Sequence, residues 1–332
     1  MLARSSLLVV AAIGFVALAG CGGGGSSTVP HHVTLPAQTI YVTSAANSGT
    51  ILEFPASANG NVAATTTISG TNTTLFDPVP MALDSTGAIY TSNEMSPAVL
   101  EFAPGSSGNV APEANGGLNG VQTKLSEYCF GVALDAANKI YVTSESSTGT
   151  TPSVAVFTAA TGNPSPVQFI QGAATTLTYP VGVAVDSSDN IYVTQAQSGT
   201  ILKFAAGAGA GTNYNVAPTA TIVTPGTNLF GIAISAAGQI YVDDAGGNAV
   251  YVYSAGATPT LLGTIHGAAT GINYPLGIAV DRNSNVYVAN HQGGDGTGSI
   301  TVYAAGAYGN IAPTATITDT GNLVNPFGIA VH

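Results

Sequence analysis

An all-β ring built from six copies of one unit is the architecture this sequence predicts, on three observations. A short strand of the type Ile-Tyr-Val recurs six times at near-constant spacing. A companion strand precedes five of those copies, and its sixth copy stands alone at the C-terminus. Gly 42 and Pro 18 among 332 residues supply turn formers throughout, which favours many short strands over long helices.

The chain opens with a leader. Residues 1–20 carry one early cation, Arg4, then an apolar run from Leu7 to Ala19. That layout predicts a secretory signal, and the run is short for a membrane span, which needs about 20 residues. It ends in Leu18-Ala19-Gly20-Cys21, which resembles the bacterial lipobox. The resemblance implies that Cys21 is lipidated and becomes the mature N-terminus. Two or more acyl chains, at about 0.8 kcal/mol per buried CH₂, then anchor the protein without a spanning helix. Residues 21–37 begin with Gly22 to Gly25, Ser26 and Ser27, a flexible tether. Gly22 stands where an Asp would retain a lipoprotein at the inner membrane, so the expected location is the outer membrane. Once Cys21 carries lipid, Cys129 has no partner for a disulfide within the chain.

Residues 38–332 hold the repeats. The Ile-Tyr-Val copies are Ile40-Tyr41-Val42, Ile89-Tyr90-Thr91, Ile140-Tyr141-Val142, Ile191-Tyr192-Val193, Ile240-Tyr241-Val242 and Val286-Tyr287-Val288, at spacings of 49, 51, 51, 49 and 46 residues. The companions are Met81-Ala82-Leu83-Asp84, Val132-Ala133-Leu134-Asp135, Val183-Ala184-Val185-Asp186, Ile232-Ala233-Ile234-Ser235 and Ile278-Ala279-Val280-Asp281. The sixth companion is Phe327 to His332. A linear solenoid has no use for a lone final strand, whereas a ring needs one to complete its first blade. Each unit adds two more strands, such as Ile201 to Phe204 and Thr219 to Ile222. Four strands per radially repeated unit describe a six-bladed β-propeller of antiparallel blades, closed by the C-terminal strand.

Along Val181-Gly182-Val183-Ala184-Val185 branched residues alternate with Gly and Ala, so bulk falls on one face. Blades crowd toward the axis, and an innermost strand has room for large side chains on one face only. Asp84, Asp135, Asp186 and Asp281 open the following hairpin, where a carboxylate accepts from backbone N–H groups about two residues on. These units resemble NHL-type repeats, and the recurring Gly309-Asn310-Ile311-Ala312-Pro313-Thr314 segment is similar to the extracellular bacterial branch of such propellers. Ser235 and His332 depart from the turn Asp, and the family's strand-end Asp survives as Asp244. The absence of Trp disfavours WD40 and kelch repeats.

Charge narrows the function. Five Lys/Arg against sixteen Asp/Glu give a net charge of −11, which argues against nucleic-acid binding. Only 6% of residues are charged and 45% are hydrophobic, unlike a disordered chain.

Aligned repeats place polar residues at the mouth of the channel. Two positions past each Tyr-Val pair stand Ser44, Asn93, Ser144, Gln195, Asp244 and Asn290, with Glu94, Glu145, Asp243 and His291 adjacent. The facing loops bring Asp77, Tyr128, Tyr179, Asn228, Tyr274 and Asn325. Two readings follow. The first is a non-enzymatic, lipid-anchored envelope propeller that binds a protein, peptide or glycan, with no catalytic residues assigned. The alternative is a metal-dependent lyase or lactonase, because converging carboxylates suit a hard cation such as Ca²⁺ and related six-bladed propellers use a central site. The metal ligands, if any, are unassigned.

Other constellations read as structure. Asp281-Arg282-Asn283-Ser284-Asn285 begins like a calcium loop but continues with Val286 where Gly is needed and Gln292 where Glu is needed, so it predicts a hairpin turn. Gly207, Gly209 and Gly211 predict loop, His31 and His32 a solvated pair in the tether, and His266 a surface residue. His291 opens a glycine-rich loop on the predicted working face, without a Ser or Cys nucleophile motif beside it. Cys129 takes the slot that Pro holds before other inner strands and is expected to be buried packing.

Overall fold

The computed structural model describes residues 38–332 apart from 95, 114–116, 147, 150, 159–161 and 293–297. The expected leader, Cys21 and the expected tether with His31 and His32 lie outside the described residues. In chain order the strands are β1 (Thr39–Ser44), β2 (Thr50–Pro55), β3 (Gly60–Asn61), β4 (Thr66–Ser69), β5 (Pro78–Leu83), β6 (Ile89–Asn93), β7 (Val99–Phe102), β8 (Tyr128–Leu134), β9 (Ile140–Glu145), β10 (Ser153–Phe157), β11 (Gln168–Gln171) and β12 (Pro180–Val185). They continue with β13 (Ile191–Gln195), β14 (Thr200–Phe204), β15 (Ala220–Val223), β16 (Leu229–Ile234), β17 (Ile240–Asp244), β18 (Ala249–Tyr253), β19 (Leu261–His266), β20 (Pro275–Val280), β21 (Val286–Asn290), β22 (Ser299–Tyr303), β23 (Ala315–Thr318) and β24 (Ile329–Val331).

They form six sheets, one per blade, and the chain is a six-bladed β-propeller. The C-terminal β24 pairs antiparallel with β1, Ile40 opposite Val331 and Val42 opposite Ile329, so the displaced sixth companion strand closes the ring. Blades 1, 3, 4, 5 and 6 have the expected four antiparallel strands. Blade 2 has three, β5-β6-β7; its fourth position is taken by Leu118, a single bridge to Val99.

The Ile-Tyr-Val strand explains itself. Ile140 and Val142 point into the core between blades and are fully buried. Tyr141 lies on the opposite face and donates to Asp135 Oδ2 at 3.1 Å, and Tyr192 and Tyr287 do the same to Asp186 and Asp281. Oδ1 of each turn Asp accepts two backbone N–H groups, Ser188 and Asn190 at 2.9 and 3.0 Å for Asp186. Desolvation alone would raise the Asp135 and Asp186 carboxyls, but these hydrogen bonds outweigh it and hold both below the usual range. Where Ser235 replaces Asp, Tyr241 donates to Gln239 instead.

Neighbouring blades are tied at the rim by the Gly-Asn segments. Gly108 of blade 2 donates to Thr67 O and accepts from Ser69 N, continuing the open edge of β4. Asn109 Oδ1 then accepts from Asn72 N at 2.7 Å in the turn that follows β4. Asn163 and Asn310 repeat this latch on Gln122 and Ala269 at 2.7 and 2.8 Å, and in blade 4 Asn215, preceded by Tyr214 instead of Gly, does so on Ala174 at 2.7 Å. In blade 1 the segment becomes β3, which pairs parallel with β23 as Gly60 opposite Ile317, and Asn61 accepts from Thr320 N. No helix among the described residues is long and apolar enough to cross a membrane.

Candidate functional site

The inner strands begin and the second strands end at the same face of the ring. The axis below that face is narrow, a cavity of about 50 Å³ ringed by Pro80, Gly131, Gly182, Gly231, Gly277 and Gly328. The five glycines of this ring have no room for side chains: a Cβ at Gly182 would run into the carbonyl oxygen of Phe230, and one at Gly131 into that of Val181.

The six strand-end polar residues are buried and clamp the loops that enter their own blades. Asn93 Oδ1 accepts from Phe76 N at 3.0 Å while its amide donates to Thr74 O at 2.8 Å. Gln195 Oε1 accepts from Thr178 N at 2.6 Å, and Asn290 Oδ1 from Asn273 N at 3.0 Å. Ser144 accepts from Ser126 N and meets the Ser153 hydroxyl at 3.1 Å. Asp244 accepts from Asn228 N, Gly246 N and the Tyr251 hydroxyl. Ser44 lies 2.6 Å from Asn322 O and accepts from Val324 N. The polar character common to all six copies therefore serves loop anchoring.

One residue earlier sits an interblade belt. Thr143 accepts from Gly131 N and donates to Val181 O of the next blade, both at 2.7 Å. Thr194 accepts from Gly182 N and donates to Phe230 O at 2.6 Å. Asp243 takes this place in blade 5, away from the mouth. Its Oδ1 accepts from Gly231 N at 2.9 Å and Phe230 N at 3.3 Å, and its Oδ2 has no partner. Complete burial drives its carboxyl well above the usual range.

The next position along the second strands differs between blades, and here the mouth acquires its character. It holds Ala45, Glu94, Glu145, Ala196, Ala245 and His291. Glu145 is only 3% exposed, Oε2 lacks a partner, and burial pushes its pKa up to about 7. Glu94 is half-buried and raised by desolvation and by the nearby Asp77. Tyr179 is raised by burial, then by the charges of Glu145 and Glu94 and by Tyr128, which gathers these four side chains over blades 2 to 4. On another side of the ring His291 lies 5.9 Å from the Tyr274 ring. Desolvation lowers its pKa against the opposing pull of the Pro326 and Asn325 carbonyls, and Nδ1 is unpartnered.

Sequence reasoning missed the floor of this mouth. Phe130 stacks on Tyr128 with centroids 5.9 Å apart and meets Tyr179 at 5.6 Å. Phe130, Val181 and Ala196 form a buried cluster against which Tyr128, Tyr179 and Phe230 pack. Phe230 of blade 5 meets Phe327 of blade 1 edge-on at 6.0 Å, across the intervening blade 6. The readable signal was the Phe-Gly pair opening three inner strands, Phe130-Gly131, Phe230-Gly231 and Phe327-Gly328. The result is an aromatic bed beside two carboxylates. Among the described residues no three His, Cys, Asp or Glu gather as a metal-binding group.

The other residues singled out are accounted for. Asp281 Oδ1 accepts from Asn283 N and Asn285 N, each at 2.8 Å, as a hairpin turn requires. Cys129 is a free, fully buried thiol whose pKa burial pushes up to about 12, and His266 is exposed on β19.

Comparison with known proteins supports the fold. Residues 170–194, from the end of β11 through most of β13, match the SBBP family, described as a beta-propeller repeat. None of the curated proteins matches the sequence. Among solved structures, the chain is similar to a protein of unknown function from Bacteroides caccae, with a TM-score of 0.59, 11% identity, and 89% of this chain and 98% of that one covered. It is also similar to apo AztD from Citrobacter koseri, with a TM-score of 0.52, 12% identity and 89% and 98% coverage. A functionally unknown protein from Desulfotomaculum acetoxidans gives a TM-score of 0.51, 15% identity and 81% and 75% coverage. At these identities the likeness is one of fold.

Proposed function

We propose that this chain is a lipid-anchored propeller of NHL-like repeats at the outer membrane, and that it binds a peptide or glycan at the channel mouth. One observation carries the binding part: Tyr128 and Tyr179, both packed on the buried ring of Phe130, form an aromatic bed close to Glu94 and Glu145. Aromatic faces take up the apolar faces of sugars or the side chains of a peptide, and attract cationic groups. The carboxylates then select hydroxyl or ammonium donors. A rigid ring presenting such a bed needs no moving parts to bind.

A second reading has one observation in its favour. Glu145, with a pKa of about 7, has the protonation behaviour of a general acid or base near neutral pH. That suits a lyase or lactonase, in which Ca²⁺ would be an additional requirement.

Soluble peptidoglycan fragments, which combine sugar faces with amine-bearing peptides, are the probe that separates the readings. Isothermal titration with the full chain in detergent should show binding that Phe130→Ala or Tyr179→Ala weakens at least tenfold. Binding indifferent to both changes would move the site away from the mouth. Turnover of the fragments abolished by Glu145→Gln would favour the enzyme.

A further inference from the structure

Five of the six gaps between blades are sealed at the rim by an Asn-bearing segment, Gly-Asn in four and Tyr214-Asn215 in blade 4, and among the described residues the sixth is not. The segments of blades 1, 2, 3, 4 and 6 each run along the outer strand of the preceding blade. Blade 5 lacks the segment. Only residues 254–260 join β18 to β19, against 56–65 between β2 and β4 and 304–314 between β22 and β23. The outer edge of blade 4, strand β15, is consequently left uncovered among the described residues.

The open positions can be named by register. In β4, Thr67 O accepts from Gly108 N and Ser69 N donates to Gly108 O; in β19, Thr264 O and His266 N do the same with Gly309. Ser69 faces Thr50 across its hairpin and Val223 faces Thr200, so Thr221 O and Val223 N–H are the corresponding groups of β15. Neither has a partner among the described residues. Beside them lies a groove of about 480 Å³, lined by Thr221, Val223, Pro225, Tyr253, Pro259 and Leu261 among others. Val223 is 74% exposed and Leu261 and Leu262 are each 45% exposed, three of the seven exposed large hydrophobics among the described residues. Lys203 bridges this gap at the rim, its ammonium reaching Gly256 O at 3.4 Å.

We propose that the outer edge of β15 is a docking site for an extended peptide of another protein, one that adds parallel to the strand. The four gaps filled by a parallel Gly-Asn segment define the chemistry of the occupant. It is uncharged, rich in Gly, Asn, Ala and Pro, and presents one residue whose N–H and C=O face Thr221 O and Val223 N–H. The groove lining agrees, being apolar and hydroxylic without a charged group. Strand addition of this kind takes affinity from main-chain hydrogen bonds and selectivity from the side-chain groove. This site lies on the rim and is independent of the mouth.

The probe is a synthetic peptide of residues 306–314, the segment that fills the gap between blades 5 and 6. With the full chain in detergent, millimolar peptide should slow hydrogen exchange at Val223 N–H at least tenfold while leaving the Glu145 region unchanged. Val223→Pro removes the donor from an edge where Pro is tolerated. It should melt like the parent and lose peptide binding measured by isothermal titration, a readout that does not depend on an amide at 223. No slowing at Val223 overturns the proposal. So does slowing that appears with protein concentration alone and sediments as a dimer, since the occupant is then a second copy. Should Val223→Pro fail to fold, Val223→Lys, which keeps the N–H but places a charge in the groove, must weaken the peptide response by a similar factor.

Discussion

Asn310 in blade 6 holds its amide oxygen 2.8 Å from the backbone N–H of Ala269 in blade 5. One side chain thus satisfies the turn after the neighbouring blade's outer strand, and it does so against Gly267, where a Cβ would sit 2.6 Å from the Asn310 Cγ. Asn310→Ala removes the acceptor and leaves that N–H to water, at a cost of about 1 kcal/mol. Gly267→Ala, at a φ of +113°, should cost more, because both the backbone and the latch must shift. Urea denaturation of the two variants checks the order.

Asp243 is predicted to be a residue the fold would rather replace. Its equivalents Thr143 and Thr194 both accept and donate across the belt, whereas Asp243 leaves Oδ2 unpartnered. Asp243→Thr should stabilise the protein by about 1–2 kcal/mol at pH 8. The raised carboxyl stabilises the fold relative to the unfolded chain only while protonated, so the parent loses stability as pH rises through the folded pKa. The advantage of the Thr variant should therefore shrink at pH 5, read as melting temperatures at the two values.

Glu145 gives a narrower window. Its folded pKa of about 7 exceeds the ordinary value of 4.5, so its contribution is complete below about pH 4.5 and falls away up to about pH 7. Glu145→Gln should be neutral at pH 4.5 and stabilising at pH 8, by at most about 3 kcal/mol. Equal effects at both values in chemical denaturation would show that the carboxyl is not held protonated.

Cys21 carries the proposed anchor. Cys21→Ser should move the protein from the detergent phase to the aqueous phase in Triton X-114 partitioning, with the propeller's melting temperature unchanged. A variant that stays in the detergent phase would place the membrane attachment elsewhere.

Much of the ring was legible because its determinants are local. The turn Asp reaches backbone N–H groups two and four residues on, and Tyr141 lies six residues after Asp135, so the pairing is written in short spacings. The closing strand was legible because a repeat broken across the termini has no other use. Even the uncovered edge leaves a trace, since the shortest repeat spacing, from Ile240 to Val286, is the unit that lacks the Asn-bearing segment.

The mouth was less legible, and the reason is geometric. Asn93 and Glu94 are neighbours in sequence, yet successive side chains at a strand end point to opposite sides. Asn93 clamps the loop at Phe76, whereas Glu94 lies close enough to Tyr179 for its charge to be felt there. Polarity alone does not distinguish the two. Phe130, Phe230 and Phe327 read as core hydrophobics, and they meet only because three different blades converge above an axis that their following glycines keep narrow. Spacing along the chain was enough to give the number of blades, their turns, the closure and the strands of every blade but the second, whose fourth strand shrinks to the single bridge at Leu118. Tertiary structure decided which polar residues are loop clamps, which carboxylates are desolvated and where aromatic rings gather, because each depends on what another blade brings within a few ångströms.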